Sequence, residues 1–197
     1  MTSGDQSSFA GGVEAWRRGL GHVRDVVRQE LVVAHVLSHL GGRGDGGGAE
    51  VLDVGCGQGT VAIALAQAGH RVVGIDVSDR LLADASDARS RQRDDVAERV
   101  VFLRGDLEPL DASFGGRFDM VCCHGVLMYL PSLGDGISEL IGAMRPGGML
   151  SLLTRNQASG PDPHHRRPTG GRLAGPWCRF RRRGQARRPG RGRVRPR

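Results

Sequence analysis

Lysine is absent from this 197-residue chain, so all 28 basic side chains are arginines. No apolar run approaches the roughly 18 residues that a membrane-spanning helix needs, which excludes such a span. Residues 1–10 are polar and lack the apolar core of a secretory signal, so a cytoplasmic protein is expected. Cysteines are few: Cys56, Cys122, Cys123 and Cys178. None forms a C-x-x-C pair, so small buried thiols are expected rather than a disulfide or zinc site. No other cluster of ligating residues points to a metal.

Charge is unevenly spread. Of the 28 arginines, 13 lie in residues 157–197, together with one of the 21 acids, Asp162. That segment therefore carries +12, and the rest of the chain carries −5. The segment is mostly Arg, Gly and Pro, with no apolar period of 2 or 3.6. It cannot bury enough surface to offset its ordering entropy, so disorder is expected. Three regions follow: a flexible lead over 1–12, one domain over 13–156, and the basic tail over 157–197.

Within the domain, residues 13–40 have helical spacing, interrupted near Gly19 and Gly21, and in the second part apolar residues from Val23 to Leu40 recur every three to four positions, the mark of an amphipathic helix. Arg24 and Arg28 lie one turn apart on it. A glycine-rich connector follows over 41–48. Strands are expected at 50–54, 71–75, 100–104, 118–123 and 149–154. Helices are expected at 59–68, 79–93 and 133–144, the second capped by Ser78. Residues 94–99 read as a charged connector, and 145–148 as a turn. This alternation predicts an α/β fold with an open parallel sheet and helices on both faces.

The chain is organised around Val51-Leu-Asp53-Val-Gly55-Cys56-Gly57-Gln-Gly59-Thr60. A strand runs into a glycine turn and straight on into a helix. Glycines let backbone approach a ligand, and the first helix N–H groups have no partner of their own. A dinucleotide fingerprint would read G-x-G-x-x-G. Here the glycines stand at every second position, and Asp53 precedes the first by two. Asp76 ends the second strand, Asp106 follows the third, and Cys123-His124 ends the fourth. In an open α/β sheet these positions share the ligand-binding edge.

The order and spacing of these segments over 50–156 resemble the class I S-adenosylmethionine (SAM) methyltransferases. The resemblance implies a Rossmann-like sheet ordered 3-2-1-4-5 and SAM as cofactor. It implies that Gly55, Cys56, Gly57 and Gly59 line the methionine part of SAM, with Asp53 ordering the turn. Asp76 would accept both ribose hydroxyls. Val77 would pack on adenine, with Asp106 and the Leu107 N–H at its polar edge. Cys123 and His124 would lie near the methionine moiety. No catalytic base is assigned, because SAM is already activated and positioning supplies most of the acceleration.

Gly21-His22-Val23-Arg24, His124-Gly-Val-Leu-Met128-Tyr and Thr154-Arg155-Asn156 also resemble the carboxymethoxyuridine tRNA methyltransferase group. In that group an Arg at the Arg24 position pairs with the SAM carboxylate. Met128 stands where that group has Glu. The resemblance accordingly implies a small molecule or a tRNA as the expected acceptor. Family sheets carry two further strands after the fifth, and no candidate for either is present in 157–197. Its composition is that of a GC-rich reading frame read out of register, so a missing or frameshifted C-terminal part is expected. His164-His165 then needs no metal explanation. Two rival functions remain: an RNA-binding module that uses the arginine-rich tail, and an inactive relative.

Overall fold

The computed structural model describes residues 23–41 and 48–154, apart from the Arg24 side chain. The expectations for 1–12, for the first part of the helix over 13–22, and for Arg155-Asn156 and the tail lie outside the described residues.

Helix α1 (Val23–Leu40) buries Val32, Val36 and Leu40, one side chain per turn. Strand β1 (Glu50–Val54) follows, then α2 (Thr60–Gln67), β2 (Arg71–Asp76) and α3 (Asp79–Ser90). A one-turn helix α4 (Asp94–Ala97), β3 (Val100–Arg104), β4 (Phe118–His124), α5 (Leu133–Ala143) and β5 (Met144–Leu153) complete the order. Short 3-10 turns at Ala112–Phe114 and Leu127–Tyr129 precede and follow β4.

All five strands are parallel, in the order β3-β2-β1-β4-β5. The expected sheet is therefore present. Alternate strand residues feed two cores. Leu52, Val54, Ile75 and Val121 face Phe118, Leu127 and Leu140. Val51, Val72, Met120 and Cys122 face Val36, Ala62 and Leu65. The central strands β1 and β4 are buried on both faces, which is why they read as near-continuous apolar runs.

Two segments differ from the sequence expectation. Residues 94–99 hold α4 rather than only a connector, because Val96 is buried and gives the turn an anchor. Residues 145–148 lie within β5 rather than in a separate turn. Met144 pairs with Phe118 and Met149 with Met120, so five steps on β5 match two on β4. The surplus is taken up as a bulge, with Gly147 at φ +83°. At this lower end of the sheet, Asp119 accepts from the Glu50 N–H at 2.9 Å and pairs with Arg145.

The caps follow sequence closely. Ser78 Oγ accepts from the Leu81 N–H at 3.4 Å, and Gly69 leaves α2 at φ +96°.

Candidate functional site

The C-terminal ends of β1, β2 and β4 meet at one edge of the sheet, beside the place where strand order reverses. Crevices of open α/β sheets bind ligands there. The glycine turn crosses this edge. Gly55, Gly57 and Gly59 sit at φ +73°, +57° and +78°, a left-handed backbone that L side chains rarely adopt. The turn is pinned beneath by Gly55 and Cys56 N–H groups, which donate to the Ile75 carbonyl at 2.8 and 3.0 Å. Gly59 caps α2 without a side-chain hydrogen bond. The first-turn N–H groups of α2 therefore face the edge without a side-chain acceptor.

Two side chains fill the space that β-carbons would take. A Cβ on Gly55 would collide with Val126, and one on Gly59 would lie 2.5 Å from the Phe102 ring. The same ring lies 2.8 Å from a Cβ placed on Gly74, in the middle of β2. Glycine is thus dictated here by close approach as well as by backbone conformation.

Asp76 ties the turn to β2. Its Oδ2 accepts from the Gly57 N–H and its Oδ1 from the Ser78 N–H, each at 2.9 Å. Burial raises its pKa, and the backbone donors from Ser78, Gly57 and Val77 oppose that rise. A carboxylate has about four acceptor positions, so both oxygens keep capacity for further donors. Val77 beside it is 43% exposed, an apolar surface at the edge.

Asp53 is buried at the end of β1. Burial, reinforced by the Asp76 charge, pushes its pKa up to about 7. The same burial, with Asp53 as neighbour, raises the thiols of Cys56, Cys122 and Cys123. These cysteines are protonated and unreactive.

Asp106 uses Oδ1 to accept the Leu107 N–H at 2.7 Å and the Glu108 N–H at 3.4 Å. The Leu107 N–H is therefore already engaged. His124 ends β4, and its Nε2 meets Ser151 Oγ of β5 at 2.9 Å. Its Nδ1 is buried without a hydrogen-bond partner among the described residues. Burial, and then the Arg28 guanidinium, lower the ring's pKa to about 4. The Arg24 side chain lies outside the described residues, so its expected role has no counterpart here. No group of three or more metal-ligating side chains occurs among the described residues.

The edge thus gathers Asp53, the glycine turn, Asp76, Val77, Asp106, Leu107, Cys123 and His124. A family model described as "Methyltransferase domain" matches residues 52–150. The chain belongs to the methyltransferase domain family.

Relatives within and around this family agree with the fold. The ubiquinone biosynthesis O-methyltransferase of Methylococcus capsulatus is 31% identical over 137 residues, 70% of this chain and 53% of that protein. The magnesium-protoporphyrin O-methyltransferase of Synechocystis is 33% identical over 129 residues, 61% of this chain and 54% of that one. The crystal structure of the Synechocystis magnesium protoporphyrin IX methyltransferase with bound SAH superposes with a TM-score of 0.55 at 31% identity. That match covers 68% of this chain and 63% of the other. The PH0226 protein of Pyrococcus horikoshii, at 23% identity and TM-score 0.57, shares the fold. The chain spans about half the length of the curated relatives it matches. Their names speak of ubiquinone and magnesium protoporphyrin, not of tRNA.

Sequence reasoning missed three residues of this edge, Phe102, Val126 and Ser151, and it did not anticipate that the Arg28 charge acts on His124. Gly74, alone in the middle of a strand, was the available signal for Phe102, because such a glycine marks a close approach. The Ser151–His124 contact spans 27 residues and depends on the β4–β5 register, which leaves no local trace.

Proposed function

We propose that this domain binds SAM and directs its methyl group to an oxygen of a small-molecule acceptor. The observation that carries the proposal is Asp76. Its carboxylate sits at the end of β2, holds the Gly57 N–H, and keeps acceptor capacity toward the open edge. A carboxylate so placed fits two ribose hydroxyls. The crowded, left-handed glycine turn fits the amino-acid part of the cofactor, which needs backbone rather than side chains beneath it. Val77 fits the adenine face, and Asp106 Oδ2 fits the adenine amino group. SAM supplies an activated methyl group, so the protein's task is to hold two reactants in line. The O-methyltransferase names of the relatives support an oxygen acceptor.

Calorimetry with SAM, S-adenosylhomocysteine and NAD tests the cofactor. SAM and its product should bind, and tighter binding of NAD would sink the proposal. Asp76→Ala should cost about 1.5–3 kcal/mol of SAM affinity, through loss of charge-assisted hydrogen bonds. Unchanged affinity would remove Asp76 from the site. Incubation with methyl-labelled SAM should label a small-molecule extract. Label in the RNA fraction instead would favour the tRNA acceptor suggested by the Gly21–Arg24 resemblance.

A further inference from the structure

The glycine turn is built from the residue type that loses most freedom when its backbone is fixed. Contacts from outside the turn must therefore hold it. Gly57 is held by Asp76, which accepts its N–H at 2.9 Å. Gly59 is held differently. Its N–H donates to the Cys56 carbonyl at 2.9 Å, and its carbonyl accepts the Ile63 N–H at 2.8 Å. Those are the ordinary bonds of a turn entering a helix. Beneath Gly59 lies an aromatic ring that comes from two strands away.

Phe102 is the middle residue of β3 and pairs directly with Gly74 of β2. With no side chain on Gly74, the ring lies across β2 and reaches the turn that follows β1. The contacts divide along the ring. A Cβ on Gly74 would meet its flank, Cδ1 at 2.8 Å and Cε1 at 2.9 Å. A Cβ on Gly59 would meet its far end, Cζ at 2.5 Å and Cε1 at 3.0 Å. Ala85 of α3 closes the same space, its Cβ 3.2 Å from the Gly59 Cβ position. Gly69 offers a contrast. It leaves α2 at φ +96° with nothing packed within 4 Å of its Cβ position. A left-handed glycine at a helix end thus needs no such ring, and the packing under Gly59 is surplus to starting the helix.

Resting on the SAM reading, we propose that Phe102 is a positioning residue for the cofactor, acting through Gly59. The far end of its ring blocks other conformations of Gly59 and keeps it left-handed at the start of α2. That fixes the direction in which the first N–H groups of α2 face the edge. Gly74 is the gap that lets the ring through. A turn ordered in advance spares the cofactor the cost of ordering it, so the effect is read as affinity.

The test separates reach from bulk. Leucine and methionine have similar volumes, and cores tolerate exchange between them. Leucine ends at its δ carbons, whereas methionine carries an ε carbon toward Gly59. Calorimetry with SAM is run on the full chain as wild type, Phe102→Leu, Phe102→Met and Val96→Ala. Val96 is buried in α4, before β3 and so at the opposite end of the sheet from the turn. Its truncation costs stability without touching Gly59. Thermal unfolding records the stability that each variant loses. Phe102→Leu should weaken SAM about tenfold, the scale of ordering one backbone residue on binding. Phe102→Met should stay within about twofold of wild type, because methionine fills irregular gaps. Val96→Ala should bind SAM as wild type does. Nitrogen-15 relaxation of the unliganded chain gives a second readout. The Gly59 order parameter should fall in Phe102→Leu and hold in Phe102→Met, with Gly69 unchanged in both. Wild-type affinity in Phe102→Leu overturns the proposal and leaves the SAM reading standing. Equal weakening by leucine and methionine overturns it too, as does a Val96→Ala loss as large as that of Phe102→Leu, since affinity then follows packing or stability alone. If wild type binds no SAM, the cofactor reading falls, and an unchanged Gly59 order parameter in Phe102→Leu separately overturns the hold of the ring on the turn.

Discussion

Asp53 and His124 pull the pH dependence of stability in opposite directions. Asp53 keeps its proton to about pH 7 in the folded protein, whereas an ordinary aspartate titrates at 3.8. The folded state therefore binds more protons across that window, and this contribution is lost as pH rises from about 4 to 7. His124 stays neutral down to about pH 4 when folded, whereas an ordinary imidazole titrates at 6.5. Here the unfolded state binds more protons, so this contribution is lost as pH falls from 6.5 toward 4. Urea unfolding of variants separates the two. Relative to wild type, Asp53→Asn should gain stability as pH rises from 4 to 7. His124→Gln should gain relative to wild type as pH falls below 6.5. An Asp53→Asn difference independent of pH would show that Asp53 is solvated in the folded state. Sequence marked both residues by their places after β1 and β4. It did not show that Asp53 feels the Asp76 charge or that His124 feels that of Arg28, because neither follows from spacing along one strand.

Among the elements, the strand–turn–helix unit from β1 to α2 was the most legible. Its glycines, its preceding acid and its short apolar run each carry a local backbone requirement. What holds the unit from outside was not legible. Phe102 of β3 lies against both Gly59 and Gly74, and only the β2–β3 register brings it there. Gly74→Ala would place a methyl 2.8 Å from that ring and 3.0 Å from Cys56 Sγ. It should destabilise the domain by about 1–3 kcal/mol, the usual cost of overpacking. Phe102→Leu removes the ring atoms in the way. The double variant should therefore lose less than the sum of the two single losses. Additive losses in thermal unfolding would mean that Phe102 and Gly74 do not press on each other. The β5 bulge was hidden for a related reason. Arg145-Pro-Gly-Gly is a turn sequence by composition, and only pairing of Met144 with Phe118 draws it into the strand.

At the scale of the whole molecule, sheet order and layering could be read from the alternation of apolar strand and amphipathic helix. The extent of the domain could not. The family match ends at residue 150, and the relatives run to about twice the matched length. Among the described residues β5 is the last strand of the sheet. Its pairing has a consequence for exchange with heavy water. In a parallel ladder a residue points its N–H and C=O to the same side. Leu153 accepts from the Gly125 N–H at 2.7 Å, so its polar groups face β4. By alternation those of Met149 and Ser151 face β4 too, and those of Leu150 and Leu152 face away. Deuterium should enter β5 with a two-residue beat: slowly at 149, 151 and 153, and fast at 150 and 152. Equal protection at all five amides would reveal a strand or segment seated along that edge.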